Sequence, residues 1–193
     1  HQSLTLRDDG SLFAHGENPR NDTYAITFPS DGRPIAALRL EALRDESHTH
    51  GGLARSDSGN FVLTEFEVQV KPSADAEPTA VKIASGEATF EQGGYPLGNA
   101  FDANRGSGWA VWAGKPIDRE HAAVFRFSET LAVEKEGELI VTLRHDSQHA
   151  SHNIGRFRLY ASSRREAKLE AGNAELAAAL AVPAEKRTEA QRN

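Results

Sequence analysis

The chain of 193 residues has no cysteine and no methionine, and it has only two tryptophans. Without cysteine there can be no disulfide, no thiolate metal ligand and no cysteine nucleophile. This absence does not fix the compartment, because a domain of this size can bury a stable core without disulfides. We expect one medium-sized domain, or one domain with an appendage, excised from a longer protein.

Long apolar runs and an excess of basic charge are also missing. No apolar stretch approaches the ~20 residues that are needed to span a bilayer. The formal net charge is −6, whereas a protein that binds nucleic acid usually carries a basic stripe to meet the phosphates. We therefore expect neither membrane insertion nor nucleic-acid binding, and cations or neutral ligands suit the charge better.

A period of two dominates the first part of the chain. In the run at 60–70, Phe66 and Val68 share one face. Glu65 and Glu67 share the other face, as in a strand that is solvated on one side. Turns rich in Gly, Asp and Ser separate the runs, and this punctuation predicts an all-β antiparallel sandwich over residues 1–163. The runs with strand-like composition are 24–28, 35–43, 60–70, 121–127, 139–144 and 156–161.

Two segments interrupt this pattern. Residues 71–80 have the composition of a linker and predict an internal loop between two halves of the sheets. From about Arg164 to Val182 the chain is rich in Ala, Glu, Leu and Lys, which predicts a C-terminal α-helix that Pro183 ends. We expect residues 164–193 to be a helical tail that leads to a further domain.

Residues 99–109, Asn-Ala-Phe-Asp-Ala-Asn-Arg-Gly-Ser-Gly-Trp, combine an acid, amides and a hydroxyl in a short loop that contains glycine. Calcium takes six to eight oxygen ligands, and an irregular loop can aim several backbone carbonyls at one point. The same residue types also form ordinary surface turns. The loop therefore has two open interpretations, a cation site and a plain turn.

The two tryptophans, Trp109 and Trp112, are candidates for contact with a ligand. Sugars present apolar C–H faces to aromatic rings and hydroxyl groups to charged or amide side chains. Trp109 can equally fill the core of a sandwich. Trp112 precedes a loop with glycine and proline, and it is the better candidate for a platform.

A second polar group of residues follows the predicted strand at 139–144. Its arginines can hold hydroxyls, carboxylates or sulfates, and its histidines add further polar contacts. The alternative is an exposed polar connection without a ligand. The residues are Arg144, His145, His149, His152 and Arg156.

Three stretches carry a resemblance to a known group of modules. They are Gly-Asn-Phe-Val-Leu-Thr-Glu-Phe-Glu-Val at 59–68, Ala-Phe-Asp-Ala-Asn at 100–104 with Trp-Ala-Val at 109–111, and Gln-His at 148–149 with Ile-Gly-Arg-Phe-Arg-Leu at 154–159. They resemble the sandwich modules embedded in large cytochrome-linked surface proteins of planctomycete bacteria. These modules are similar to the galactose-binding-like superfamily of discoidin and coagulation-factor C domains, which includes many carbohydrate-binding modules. The resemblance implies a jelly-roll sandwich, a structural calcium ion and a sugar-binding role.

The calcium turn of that superfamily resembles residues 99–107 of this chain. Glu65 completes the implied shell, although its strand is the family's final one and here falls in the first third of the chain. Ala103 is a second departure, because the family's turn has glycine after the aspartate. The ligands that the resemblance implies are the Asp102 carboxylate, the Asn99 and Asn104 carbonyls, a Ser107 hydroxyl or carbonyl, and the Glu65 carboxylate.

Other chemistries have less support in the sequence. The histidines at 48 and 50, and those at 145, 149 and 152, suit zinc or copper but form no recognised ligand motif. No Gly-x-Ser-x-Gly elbow is present. Glu65 and Glu67 would lie roughly 7 Å apart on one strand face, as in a glycosidase pair, yet nothing in the sequence indicates the raised pKa of a general acid.

We therefore expect a non-catalytic carbohydrate-binding module with a structural Ca²⁺. It would attach a larger secreted or surface protein to a polysaccharide or oligosaccharide, as a monomer, in an extracellular, cell-surface or periplasmic location. The alternative is an architectural domain that docks against other domains of a cytochrome-linked parent protein and has no free sugar ligand.

Overall fold

The computed structural model describes residues 2–169, and within them the chain forms twelve β-strands and no α-helix. Two short 3₁₀ turns, Thr49–Gly51 and Leu97–Ala100, lie between strands. The strands, numbered in chain order, are β1 (Gln2–Leu6), β2 (Leu12–Gly16), β3 (Asp22–Pro29), β4 (Ile35–Ala42), β5 (Val62–Leu63), β6 (Glu65–Lys71), β7 (Thr79–Ala80), β8 (Ile83–Ala88), β9 (Trp109–Ala110), β10 (His121–Leu131), β11 (Glu138–His145) and β12 (Arg156–Ser162).

The described strands form two large sheets and one small one. The six-stranded sheet has the order β1-β2-β12-β4-β10-β8, and the four-stranded sheet has the order β3-β11-β6-β7. A two-residue pair, β5 with β9, stands apart from both. The strand pairs are antiparallel, so the prediction of an all-β antiparallel fold is confirmed.

Aromatic side chains join the two large sheets across the core. Phe66 on β6 stacks on Phe125 on β10, with ring centroids 3.8 Å apart and ring planes within 4° of parallel. Tyr24 on β3 stacks on Phe157 on β12 in the same way, with centroids 5.7 Å apart. Burying one such phenylalanine stabilises a fold by roughly 1.5–3 kcal/mol. These contacts pack the four-stranded sheet face to face on the six-stranded one, which is the arrangement of a β-sandwich.

The run at 60–70 is two strands rather than the single strand that the sequence predicts. It divides at Thr64, whose backbone N–H and hydroxyl both donate to the carbonyl of Arg144, at 2.8 and 3.0 Å. The predicted solvated face is also wrong for Glu65, which is only 5% exposed. The other five predicted runs each fall on one strand, namely β3, β4, β10, β11 and β12.

Several strands carry too little signal to be predicted, namely β1, β2, β7, β8 and β9. They are short or polar, and β8 contains a glycine. A Cβ added to Gly86 would lie 2.7 Å from Cδ2 of Leu97 and 3.1 Å from the carbonyl oxygen of Val124, so a larger residue here would force the buried Leu97 side chain to shift. The glycine thus lets the Leu97–Ala100 turn, whose last two residues begin the 99–109 loop, pack closely on the strand.

The segment at 71–80 comprises the last residue of β6, a loop and β7. β7 pairs back on β6, with Ala80 opposite Gln69. The chain then enters β8, on the other large sheet. No helix within residues 2–169 is long and apolar enough to cross a membrane.

The predicted C-terminal helix does not begin at Arg164. Residues 164–169 form a turn without helical structure, because tertiary contacts hold this segment against the six-stranded sheet. Arg126 on β10 donates from Nε and a terminal guanidinium nitrogen to the carbonyl of Ala167, at 3.0 and 2.6 Å. Arg165 also donates to the carbonyl of Ser128. The remainder of the predicted helix, 170–182, lies outside the described residues.

Candidate functional site

A pocket of about 180 Å³ opens beside Trp112, and we call it the Trp112 pocket. It brings together three of the candidate ligand-binding residues that the sequence offers, Trp112, His149 and His152. Its wall mixes aromatic rings, imidazoles, amides, the hydroxyls of Ser58 and Tyr95 and the apolar side chain of Val62, and no carboxylate or guanidinium lines it. The lining residues are Ser58, Asn60, Val62, Gln92, Tyr95, Trp112, His149 and His152.

Two amide side chains fix the tryptophan side of the pocket. The side-chain oxygen of Gln92 accepts a hydrogen bond from the backbone N–H of Trp112 at 3.0 Å, and a second one from the amide of Asn60 at 3.1 Å. Asn60 is buried, and its own oxygen accepts from the N–H of Val111 at 3.1 Å. These bonds hold the backbone on which Trp112 stands. The amide nitrogen of Gln92 makes none of these bonds and is available as a donor.

Histidines and a tyrosine form another part of the pocket wall. The hydroxyl of Tyr95 lies 2.8 Å from Nε2 of His149. The ring of His149 lies beside that of His152, with centroids 5.4 Å apart. Nδ1 of His152 lies 2.9 Å from the carbonyl oxygen of Ala150, and Nε2 lies 3.4 Å from the hydroxyl oxygen of Ser58. The pocket therefore combines flat apolar surfaces with both donors and acceptors of hydrogen bonds.

The 99–109 loop is closed by its own hydrogen bonds. The carboxylate of Asp102 accepts from the N–H of Asn104 at 2.8 Å and from the hydroxyl of Ser107 at 2.9 Å. The carbonyl of Asn104 accepts from both the N–H and the hydroxyl of Ser107. Ala103 has a φ of 62°, in the left-handed region that favours glycine. The backbone at Ala103 thus has a conformation suited to the glycine found after the aspartate in the calcium turn that this loop resembles.

Glu65 lies close enough to this loop to interact with its charge. Burial raises the pKa of Glu65, and the neighbouring charges of Asp102 and Glu67 raise it further, against Arg105 and Arg144. Oxygen Oε1 of Glu65 is buried and has no hydrogen-bond partner in the described structure. Two of the carboxylates that the resemblance assigns to calcium are therefore electrostatically coupled across a long stretch of sequence.

No group of three or more His, Asp or Glu side chains within residues 2–169 is placed to hold a metal ion. A cation near Glu65 and Asp102 would therefore need backbone oxygens as ligands as well. The resemblance implies that the carbonyls of Asn99 and Asn104 supply them. The Leu97–Ala100 turn, which contains Asn99, contacts β6, β8 and β9.

Two predicted ligand residues are interior residues instead. Trp109 has no exposed surface, packs edge-on against Phe61 with centroids 5.0 Å apart, and donates from Nε1 to the carbonyl of Phe90 at 3.0 Å. Of its two open interpretations, the structure therefore supports the core one. His145 is 2% exposed, and its Nε2 accepts from the N–H of Ile154 at 3.3 Å. Burial lowers the pKa of His145 to about 3, so its ring is a neutral part of the core.

The two predicted ligand-binding arginines are paired with acids outside the Trp112 pocket. Arg144 on β11 makes a bidentate interaction with the carboxylate of Glu67 on β6. Its Nε and a terminal guanidinium nitrogen donate to the two carboxylate oxygens, at 2.7 and 3.1 Å. Arg156 on β12 donates to the carboxylate of Asp9 at 2.6 Å and lies 3.6 Å from that of Asp45. Neither arginine lines the pocket, so the predicted rim running from 144 to 156 is reduced to His149 and His152.

Several residues of the Trp112 pocket could not be predicted from the sequence. Tyr95, Gln92 and Asn60 look like ordinary turn or strand residues. The N–H of Gln92 donates to the carbonyl of Ala110 on β9, the N–H of Ala110 donates to the carbonyl of Tyr95, and β9 in turn pairs with β5, which follows Asn60. The Asn60 to Gln92 bond links residues 32 positions apart. An asparagine directly before the apolar run Phe61-Val62-Leu63 is the one weak sequence signal, because an amide that is buried with such a run needs hydrogen-bond partners.

Comparisons of this chain with protein-family models, with curated proteins and with solved structures found no match. Inference about function therefore depends on the geometry of the Trp112 pocket and of the 99–109 loop. This geometry defines an all-β antiparallel sandwich whose described residues include a small pocket of mixed polarity.

Proposed function

We propose that this protein is a non-catalytic carbohydrate-binding module and that the Trp112 pocket is its sugar site. The observation that carries the proposal is the meeting of two aromatic side chains, Trp112 and Tyr95, with two imidazoles and two amides in one pocket. A pyranose ring presents an apolar C–H face and an edge of hydroxyls, which matches such a wall.

The charge and the size of the pocket restrict the class of ligand that fits it. No acidic or basic residue lines it apart from the two histidines, and the chain as a whole carries a net charge of −6. A neutral sugar is therefore a better match than an acidic glycan. The volume of about 180 Å³ is below the ~300–1,000 Å³ of pockets that enclose drug-sized ligands. The pocket has room for about one sugar ring, and the remaining sugars of a longer glycan would lie outside it.

The finer features of the fold belong to the same proposal. We propose a jelly-roll sandwich of the galactose-binding-like kind, in a protein that acts outside the cytoplasm. The two facing antiparallel sheets and the left-handed Ala103 at the glycine position of the calcium turn support this view.

A structural calcium ion near Asp102 is also part of the proposal. The donor chemistry fits, because Glu65 supplies a buried carboxylate oxygen without a partner and Asp102 supplies a second carboxylate near it. Asn99, Asn104 and Ser107 would add carbonyl or hydroxyl oxygens. When bound, calcium would hold the loop to β6 and neutralise the repulsion that raises the pKa of Glu65.

A glycan array followed by calorimetric titration tests the sugar site. We expect Trp112→Ala to reduce affinity by at least about tenfold, because the stacking face is lost. Phe90→Ala is the matched control, since Phe90 is a partly exposed aromatic side chain that does not line the pocket. The proposal fails if no neutral glycan binds at millimolar concentration, or if both variants bind as the parent does.

The docking alternative requires a contiguous apolar surface. Within residues 2–169 the large apolar side chains that are exposed are Leu6 and Phe90, at 70% and 37%. Leu6 ends the edge strand β1, whereas Phe90 follows β8 at the other edge of the six-stranded sheet. This part of the chain therefore gives docking less support than the pocket gives sugar binding.

A further inference from the structure

We propose that the Trp112 pocket selects an N-acetylated amino sugar, and that Gln92 determines this specificity by donating to the acetamido carbonyl. The proposal rests on the proposed sugar site and names the class of sugar that fits it. It follows from three features of the pocket wall, namely a fixed donor at Gln92, an apolar surface at Val62 and a weakly bonded hydroxyl at Ser58.

The side-chain amide of Gln92 is held in one orientation. A backbone N–H can only donate, so the atom that meets the N–H of Trp112 at 3.0 Å must be the amide oxygen. The same oxygen also accepts from Asn60, so turning the amide over would break both bonds. The backbone of Gln92 is fixed as well, because its N–H donates to the carbonyl of Ala110 at 2.9 Å and its carbonyl accepts from the N–H of Tyr95 at 2.8 Å.

The nitrogen of this amide is left for a ligand. It donates to no residue that the structure describes, and it is not among the buried side-chain atoms that lack a partner there. Solvent therefore reaches this nitrogen, and so does a ligand in the pocket that Gln92 lines. An amide nitrogen donates and does not accept, so the ligand must supply an oxygen that accepts.

An apolar side chain lies near this donor. Val62 is the one aliphatic residue among those that line the pocket. It pairs with Ala110 on β9, whose carbonyl accepts from the N–H of Gln92, so the two wall residues flank the same strand residue. Asn60, to which the amide of Gln92 is bonded, lies two residues before Val62. A small apolar group next to the acceptor oxygen of the ligand therefore meets an apolar surface.

The third feature is the hydroxyl of Ser58, which is only weakly bonded. Its oxygen lies 3.4 Å from Nε2 of His152, 3.4 Å from the backbone nitrogen of Asn60 and 3.5 Å from the hydroxyl oxygen of Ser56. All three distances are long for hydrogen bonds. The oxygen of Ser58 can therefore accept a shorter bond from an N–H group of the ligand.

An acetamido group has a counterpart for each of these features. Its carbonyl oxygen accepts from Gln92, its methyl group packs on Val62, and its N–H donates to Ser58. A sugar hydroxyl at the same position can accept from Gln92, but it leaves the apolar surface uncovered. An N-acetylated amino sugar is also neutral and has one ring, which suits the uncharged wall and the volume of about 180 Å³.

Calorimetric titration with two matched pairs of sugars tests the proposal. The pairs are N-acetylglucosamine with glucose, and N-acetylgalactosamine with galactose. We expect the parent protein to bind the N-acetylated member of at least one pair about tenfold more tightly, because that sugar adds hydrogen bonds and one buried methyl group.

The variant Gln92→Glu keeps an oxygen that accepts from Trp112 and Asn60, but it puts a carboxylate oxygen in place of the donor. This oxygen repels the acetamido carbonyl and still accepts from a sugar hydroxyl, so the tenfold preference should be lost. Ser58→Ala, which leaves the amide bonds of Gln92 intact, should also lower the preference. Gln69→Glu adds the same charge at an exposed position on β6, and this matched control should keep the preference.

The outcomes separate this proposal from the proposed function. If no glycan on the array binds, the sugar site itself is contradicted. If glycans bind but the parent prefers neither N-acetylated sugar, sugar binding stands and the selection of an acetamido group is contradicted. If the preference is present and Gln92→Glu keeps it, the role of Gln92 is contradicted.

Discussion

The side-chain oxygen of Gln92 accepts the backbone N–H of Trp112 at 3.0 Å. The same oxygen accepts from the amide of Asn60, so one atom joins the tryptophan segment to the residue that precedes β5. The aromatic wall of the pocket is thus set by a polar network beneath it, and this network can be tested without knowing the ligand.

We expect Gln92→Ala to reduce the free energy of unfolding by about 1–3 kcal/mol, because two partly buried donors lose their acceptor. Urea unfolding measures the change. Gln69→Ala, at an exposed glutamine on β6, is the matched control and should change stability by less than about 0.5 kcal/mol. Equal stability of the two variants would contradict the role of Gln92.

The protein should be more stable with glycine than with alanine at position 103. The φ of 62° at this position is disfavoured for any residue with a Cβ, so Ala103→Gly should raise the free energy of unfolding by about 0.5–1 kcal/mol. Ala161→Gly on β12 is the control, because Ala161 is an exposed strand residue where glycine lowers stability. Thermal melts of both variants measure the difference, and a destabilised Ala103→Gly would contradict the left-handed turn.

Burial of His145 makes stability depend on pH. Its folded-state pKa of about 3 lies below the unfolded value of 6.5, so the unfolded chain takes up the proton first. Its contribution to stability is therefore complete above pH 6.5 and is lost as the pH falls toward 3, at up to about 1.4 kcal/mol per pH unit. Burial also lowers the pKa of His48 and His121, which act in the same direction.

The variant His145→Gln should therefore lose less stability than the parent between pH 6.5 and pH 4. Urea unfolding at several pH values within this range gives the two slopes. His15→Gln, at an exposed histidine on β2, is the matched control and should follow the parent. A His145→Gln slope equal to that of the parent would show that His145 is not the buried neutral ring described above.

The proposed calcium ion should appear in the melting temperature. A ligand at a hundredfold excess over its Kd stabilises the native state by about 2.7 kcal/mol, which is roughly 5–10 °C for a domain of this size. A chelator should remove this gain from the parent protein. It should leave Asp102→Asn unchanged, because that variant lacks one of the two carboxylates. An unchanged melting temperature of the parent protein after chelation would contradict the proposal that calcium binds at this site.

The alternation of apolar and polar residues along the chain was enough to predict the long strands and the antiparallel class of the fold. It failed at Glu65, because a period of two continues through Thr64 while the backbone leaves one strand pair and joins another. It also failed for residues 164–169, where bonds from Arg126 outweigh the helix propensity of the sequence.

The site was only partly predictable for a related reason. A tryptophan beside a glycine-containing loop is visible in a sequence, and so is a cluster of histidines. Which histidine faces the tryptophan depends on strand pairing over long separations, which the sequence does not display. Arginines were overvalued because their acidic partners, Glu67 for Arg144 and Asp9 for Arg156, lie 77 and 147 residues away.

The most direct test of the sugar site uses the two tryptophans as built-in reporters. The indole N–H groups of Trp109 and Trp112 give two separate NMR signals, and Trp109 is buried with its N–H bonded to Phe90. Titration with a neutral glycan that binds on the array should shift the Trp112 signal and leave the Trp109 signal in place. Binding that leaves the Trp112 signal unmoved would place the ligand elsewhere and contradict the Trp112 pocket as the sugar site.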